Sequence, residues 1–308
     1  MVLNENSKIV IFGGLGFIGE NLIRFFLRKD FNNIVIIDRD CKEGSQKYNI
    51  YKDFYEKCKV INFDLTNDDF SIIKEDFLKA EFMINLSFAR DDYSFNPDKI
   101  ILDYIKENKT HPKLIHFGSR MQYAKGQNIL SEESVLEGRN EYSIRKNEVE
   151  NMYREYAKEL NLDVLYLRIG NIYGYSKKFF EKKTIDAFLL KNLVVKGELE
   201  ITISKDIYKD MIYVDDFLEG IHALLELESS FGQIYNLSSG KKTTIGEMIE
   251  VCKKYFPDAK IVYNPKSLDY EDSFIKDVSK IKNHTNWEAK HSFEEGFEKL
   301  ILKLLKKK

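Results

Sequence analysis

The sequence predicts an α/β fold, a doubly wound parallel sheet with a smaller, interwoven C-terminal lobe. Three observations carry this expectation. Short apolar runs recur at Lys8 to Phe12, Ile34 to Ile37, Val60 to Phe63, Phe82 to Leu86, Leu114 to Phe117 and Val164 to Leu167, and amphipathic stretches separate most of them. Such alternation is the pattern of a parallel sheet covered by helices on both faces. A glycine-rich turn, Gly13-Gly14-Leu15-Gly16-Phe17-Ile18-Gly19, joins the first run to a helix-like stretch. Finally, Gly13, Asp38, Asp64, Ser87 and Ser119 fall at or just after run ends, where the ligand crevice of an open α/β sheet lies.

The first run and its turn read as the opening strand, turn and helix of a Rossmann-type dinucleotide-binding fold. Glycine at 13, 14 and 16 lets the backbone turn tightly and approach phosphates, and Gly19 lets the helix pack closely on the sheet. The helix N-terminus offers N–H groups and a favourable dipole to an anion. Asp38 closes the second run, 19 positions after Gly19, where a carboxylate accepts hydrogen bonds from an adenosine ribose. A 2′-phosphate is repelled there, so NAD is expected over NADP, although Arg39 is placed to pair with that phosphate. The cofactor-facing candidates are Gly13, Gly16, Phe17 and Ile18 in the turn, Asp38 after the second run, and Leu86 and Ser87 after the fourth.

The chain has 308 residues, only four prolines and no Gly/Ser-rich linker or internal repeat, so a second lobe must be woven into the first. Residues 1–171 with 206–237 are assigned to the dinucleotide-binding domain, and 172–205 with 238–308 to a substrate lobe. Met211 to Glu226 reads as a strand and helix, and Gly232 to Leu237 as a turn into a strand, both expected to return to the main sheet.

Composition narrows the function classes. With 48 Lys+Arg against 50 Asp+Glu the net charge is −2, which argues for neither nucleic acid nor an acidic surface as partner. Cys41, Cys58 and Cys252 are an odd number at scattered spacing, which fits a reduced, cytoplasmic setting. There is no run of 18 apolar residues, and Met1 to Ser7 is polar, so neither membrane insertion nor secretion is expected. The five histidines lack ligand spacing and the carboxylates form no EF-hand loop, so no metal is expected.

A second constellation is Tyr142-Ser143-Ile144-Arg145-Lys146, opening a stretch that reads as helix through Leu160. Residues four apart share a helix face, so Tyr142 and Lys146 can point into one site. A free phenol ionises only near pH 10, and a nearby ammonium together with a cationic nicotinamide favours the phenolate. Taken alone, such a pair is usually an amphipathic surface with a snorkelling lysine. Ser119, at the end of the fifth run, adds a hydroxyl able to hydrogen-bond a substrate oxygen in the same crevice.

With these residues in place, the chain resembles an extended short-chain dehydrogenase/reductase of the nucleotide-sugar epimerase and dehydratase group. Beyond the turn and Ser119, Tyr142 and Lys146, the likeness includes Asp64-Leu65 and Arg168-Ile169-Gly170-Asn171-Ile172-Tyr173-Gly174, similar to R-x-F-N-x-Y-G. It continues through Lys209-Asp210-Met211-Ile212-Tyr213-Val214-Asp215-Asp216, similar to R-D-F-I-x-V-D-D, and Gly232 to Gly240, similar to G-x-x-Y-N-I-G-S-G. Asp277-Val278-Ser279-Lys280 and Trp287 complete it.

The resemblance implies hydride transfer between NAD and the sugar of a nucleoside diphosphate. Tyr142 takes the proton of a sugar hydroxyl, most often at C4; Lys146 holds the cofactor ribose and favours the phenolate; Ser119 orients the oxygen. Asp64, Leu65 and Arg90, the last aligned with a family lysine, join the cofactor contacts, while Asn171 and Lys209 join Ser119 in binding substrate.

Departures narrow the reaction. In 4,6-dehydratases acidic residues follow the catalytic Ser/Thr, but Arg120 and Met121 follow Ser119, which argues against elimination and against a second epimerising acid/base at 121. Redox at one carbon remains, as a 4-epimerase or 4-dehydrogenase, with a 4-ketoreductase or a non-catalytic NAD-binding scaffold as alternatives. Lys209 replaces the usual arginine, and Lys266 or Ser267 stands where a second phosphate-binding arginine is common, so the base is left open. The segment Pro97 to Leu114 is shorter than the family's, which bears on the expected homo-oligomer.

Overall fold

Ile9, Val10, Ile11 and Phe12 are all fully enclosed, as a strand covered on both faces requires. The computed structural model describes residues 2–88, 95–265 and 273–306. The six apolar runs become β1 (Ile9–Phe12), β2 (Ile34–Asp38), β3 (Lys59–Asn62), β4 (Phe82–Asn85), β5 (Lys113–Ser119) and β6 (Val164–Ile169). With β7 (Ile234–Leu237) they form one parallel sheet in the order β7-β6-β5-β4-β1-β2-β3. The register runs Ile9 to Ile34 and Phe12 to Ile37 on one side of β1, and Ile9 to Phe82 on the other. Strand order reverses about β1, and that reversal opens the crevice beyond the C-terminal strand ends.

Side-chain alternation sorts the two faces. Val10, Phe12, Val35 and Ile37 join a core with Ile101, Leu102 and Ile105 of the helix Pro97–Asn108 and with Val149 and Tyr153 of the helix Glu141–Leu160. On the other face Ile11 and Ile36 meet Ile23 of the helix Phe17–Arg28, around Gly14.

The chain divides into two compact units, one of residues 1–122, 136–168 and 222–234, the other of 123–135, 169–221 and 235–308. These boundaries differ from those read in the sequence, notably at 123–135 and 206–221. In the second unit, strands Asn171–Tyr173, Tyr208–Tyr213 and Lys242–Thr244 form a small sheet with Tyr208–Tyr213 in the middle. Met211 pairs with Asn171 and Lys209 with Thr243. The expected return of Met211 and its neighbours to the main sheet is therefore not what occurs, whereas Ile234–Leu237 does join it. An apolar run reveals that a strand is buried but not which strand it pairs with.

Candidate functional site

Gly13 adopts φ 68°, and a Cβ there would lie 2.6 Å from the backbone nitrogen of Ser87. The first turn is thus pressed against the end of β4, an approach that only glycine permits. Gly19 is as constrained, since its Cβ would lie 2.4 Å from the Gly14 carbonyl oxygen. The helix that follows begins at Phe17 with Gly16 as N-cap and no side chain capping it. That leaves its first turn suited to an anion.

Asp38, at the end of β2, is buried and stitched to this turn: the Leu15 N–H donates to Oδ2 at 2.8 Å. Its other oxygen, Oδ1, accepts from Lys47 Nζ at 2.5 Å. Asp38 borders a cavity of ≈ 160 Å³ together with Gly13, Arg39, Asp64, Leu65, Ser87 and Phe88, over a floor of Phe12, Ile37 and Phe63. The Thr66 hydroxyl and N–H, helped by Asn67 and the Arg39 charge, hold the Asp64 carboxyl below its ordinary range. Asn85 Oδ1 accepts both the N–H and the hydroxyl of Ser87, fixing the end of β4.

Of the cofactor residues expected from the sequence, Gly13, Asp38, Asp64, Leu65 and Ser87 are brought together round this cavity. Gly16, Phe17, Ile18 and Leu86 do not line it; Leu86 spends its N–H on the Phe12 carbonyl at 2.8 Å. Arg90 lies outside the described residues, as do Lys266 and Ser267. A carboxylate beside a glycine-only approach to a helix N-terminus fits a dinucleotide, with the acid for a ribose diol and the turn for its phosphates.

The helix Glu141–Leu160 starts where Asn140 caps it, with its side chain accepting from the Ser143 N–H and the Ser143 hydroxyl facing the Asn140 backbone. That box places Tyr142 in the first turn and Lys146 one turn later. Both face Phe88: the Tyr142 ring meets it edge-on at 5.4 Å between centroids, and Lys146 Nζ sits 4.9 Å from its centre. Lys146 Nζ also donates to the Phe117 carbonyl at 2.8 Å, two residues before Ser119 on β5. Ser119 is buried; its Oγ accepts the Met121 N–H at 3.2 Å.

Beneath these residues lies a polar floor that sequence reading missed. Gln122 is fully enclosed, accepts the Ser119 N–H at 2.6 Å and donates to Glu150 Oε2 at 2.9 Å. Glu150 in turn takes Arg168 at 3.1 and 2.8 Å and Arg154 at 2.9 Å. Burial opposes its ionisation, yet Arg168 foremost, with Arg154 and Gln122, holds the carboxyl down at about 2. His116 on β5 is pushed down to about 3 by burial, with the Lys146 charge adding to the effect. Asp98 is pushed up by burial against the pull of Lys146; Asn85 Nδ2 and the Tyr153 hydroxyl both donate to it. The available signal was spacing, since Glu150 follows Lys146 by four residues on the same helix face.

In the second unit the motif residues mostly satisfy the chain itself. Asn171 Nδ2 donates to the Asp210 carbonyl at 3.1 Å, and Lys209 is buried in the middle strand. Asp210 Oδ1 accepts from the N–H and hydroxyl of Ser239 and the N–H of Gly240, and Oδ2 accepts the Lys276 N–H at 2.9 Å. Asn236 bonds Glu132, Leu130, Asp277 and the Tyr123 hydroxyl. Trp287 Nε1 donates to the Asp216 carbonyl at 3.2 Å. Among the described residues no cluster of three His, Cys, Asp or Glu side chains is placed to hold a metal, and no helix is long and apolar enough to cross a membrane.

Residues 9–238 match the NAD dependent epimerase/dehydratase family. The chain is 23% identical to dTDP-4-dehydro-6-deoxyglucose reductase of Escherichia coli, over 96% of this chain and 97% of that one. It is 22% identical to UDP-glucuronic acid decarboxylase 1 of Arabidopsis thaliana, over 96% of this chain and 69% of that one. Its fold superposes with a TM-score of 0.83, at 20% identity, on UDP-glucuronic acid 4-epimerase from Bacillus cereus in complex with UDP-glucuronic acid and NAD, covering 98% of this chain and 100% of that one. The glycine turn, the strand-end carboxylate and a family match spanning most of the sheet lead to one conclusion: the chain belongs to the NAD dependent epimerase/dehydratase family, the extended short-chain dehydrogenase/reductase enzymes of nucleotide sugars, and its cofactor is NAD.

Proposed function

We propose that this enzyme oxidises a single carbon, C4, of the sugar in a nucleoside-diphosphate sugar, as a 4-epimerase or 4-dehydrogenase and not as a 4,6-dehydratase. The observation that carries the reading is the convergence of Tyr142 and Lys146 on Phe88, with Lys146 tied to β5 two residues before Ser119. Tyr142, as phenolate, takes the proton from the C4 hydroxyl while the C4–H bond breaks and the C4–O bond becomes a carbonyl. Bound NAD supplies the acceptor for the departing hydride. The Ser119 hydroxyl hydrogen-bonds the same oxygen throughout, and Lys146 keeps a positive charge beside the phenolate. Asn171 and Lys209 are the proposed substrate contacts, and Arg90 a further cofactor contact.

Elimination lacks support because Arg120 and Met121, not acids, follow Ser119. A 4-ketoreductase is the same step reversed, and the Escherichia coli relative bears such an activity in its name. The test is a panel of nucleotide sugars with NAD, and of 4-keto sugars with NADH, read at the reduced-nicotinamide absorbance and by product analysis. Epimerisation or oxidation at C4 is expected, and Tyr142→Phe should lower it at least a thousandfold with NAD affinity unchanged. Retained turnover in that variant removes the mechanism; cofactor bound with no reaction on any sugar leaves a binding scaffold. Tightly retained cofactor in the purified protein points to an epimerase, freely exchanging cofactor to net oxidation or reduction.

A further inference from the structure

Asp38 does not meet the cofactor cavity as an isolated negative charge. Lys47 Nζ lies 2.5 Å from its Oδ1 and also donates to the Arg39 carbonyl at 2.7 Å, so the ammonium is held from two sides. Its helix, Gln46–Ile50, is fixed by Ser45, whose side chain accepts the Tyr48 N–H. The Lys47 side chain is only 21% exposed, and Asp38 7%, so water screens this pair weakly. Arg39 borders the same cavity. Its pairing with Asp40 reaches only 4.0 Å between highly exposed groups, which leaves the guanidinium available to a ligand. Asp64 also borders the cavity, where hydrogen bonds from Thr66 and Asn67 favour its ionised form.

A lone carboxylate at the end of β2 repels a 2′-phosphate, and this is the usual ground for excluding NADP. Here an ammonium pairs with that carboxylate and a guanidinium stands next to it, so a dianion meets less repulsion than a lone carboxylate gives, with Asp64 the opposing charge that remains on the cavity. We propose that the chain accepts NADP as a second cofactor, with Lys47 as the residue that sets how strongly NAD is preferred. A 2′-hydroxyl still finds a hydrogen-bond acceptor in Asp38, and a 2′-phosphate finds Lys47 and Arg39.

This rests on the cofactor reading of the crevice and not on the sugar chemistry, so binding is measured without sugar. NAD and NADP are titrated by calorimetry into the wild-type protein, Lys47→Met and Lys47→Arg. In the wild type NADP is expected to bind within about a hundredfold of NAD. Lys47→Met should widen that ratio at least tenfold while NAD still binds, which also shows the variant is folded; Lys47→Arg, which keeps the charge, should stay within about threefold of wild type. A ratio unmoved by Lys47→Met, or NADP more than about a thousandfold weaker in the wild type, overturns the proposal with the NAD site intact. Failure of wild-type protein to bind NAD overturns the cofactor reading and this proposal together.

Discussion

Gly13 and Asp38 border a cavity, whereas Asp210 and Asn236, marked by equally recognisable motifs, are enclosed in hydrogen bonds that the chain makes with itself. Asn236 is 0% exposed and uses its backbone N–H, both side-chain functions and a tyrosine hydroxyl within the second unit. Asp38 also has partners, Leu15 and Lys47, but part of it faces open space. A motif residue therefore belongs to a ligand only where polar capacity remains after the fold has taken its share. In the first unit Gly13 and Asp38 keep an open side; in the second Asp210 and Asn236 are spent on the chain itself.

Breaking the Asn236 hydrogen bonds of the second unit should give the largest effect. Asn236→Ala leaves the Tyr123 hydroxyl and the Leu130 and Asp277 carbonyls with poorer partners in a closed environment, and should cost about 3 kcal/mol in urea denaturation. NAD affinity of the folded protein should stay within about twofold. A large loss of affinity with little loss of stability would erase the contrast.

Gly13→Ala sharpens the comparison from the other side. The side chain must adopt a positive φ and meet Ser87 backbone, so the turn and the end of β4 move apart. NAD affinity should fall at least tenfold, about 1.4 kcal/mol, with a stability cost of about 1 to 2 kcal/mol. Unchanged titration by NAD would show that this turn does not hold the cofactor.

A smaller effect concerns the floor beneath Lys146. His116 is held neutral in the folded protein with its pKa near 3, while in the unfolded chain it protonates near 6.5. Because the folded state binds fewer protons, its contribution is complete above pH 6.5 and is lost as pH falls through 6.5 towards 3. Glu150, lowered from 4.5 to about 2, contributes fully above pH 4.5 and loses that contribution between 4.5 and 2. From pH 6.5 down to 4.5 His116 loses its contribution while Glu150 keeps its own, and Asp98, whose carboxyl is raised by burial, acts in the opposite sense. The fall in urea midpoint from about pH 7 to about pH 5 should be shallower in His116→Phe than in wild type. Parallel profiles would place the acid sensitivity in the other histidines.

The legible part of the site shares one physical property: its signals are local. Gly13 is needed by a tight turn, Asp38 terminates its own strand, and Tyr142 and Lys146 are one helical turn apart, so sequence spacing alone brings them to notice. Gln122 and Lys47 escaped because nothing near them in the chain marks them. Gln122 gains meaning only from Ser119 and Glu150, and Lys47 only from a carboxylate nine residues earlier, on a different element. The misplaced strand Tyr208–Tyr213 has the same origin, since its apolar run was visible and its pairing with Asn171–Tyr173 was not.

By itself the sequence determined the parallel sheet, the glycine turn, the carboxylate that ends the second strand and the one-turn spacing of Tyr142 and Lys146, because each depends on residues close together along the chain. Tertiary structure alone decided which strands became neighbours, that Arg168 would keep Glu150 charged in the interior, and that Lys47 would reach Asp38. Burial and Coulomb energy depend on distances between elements, and those distances exist only once the chain has folded.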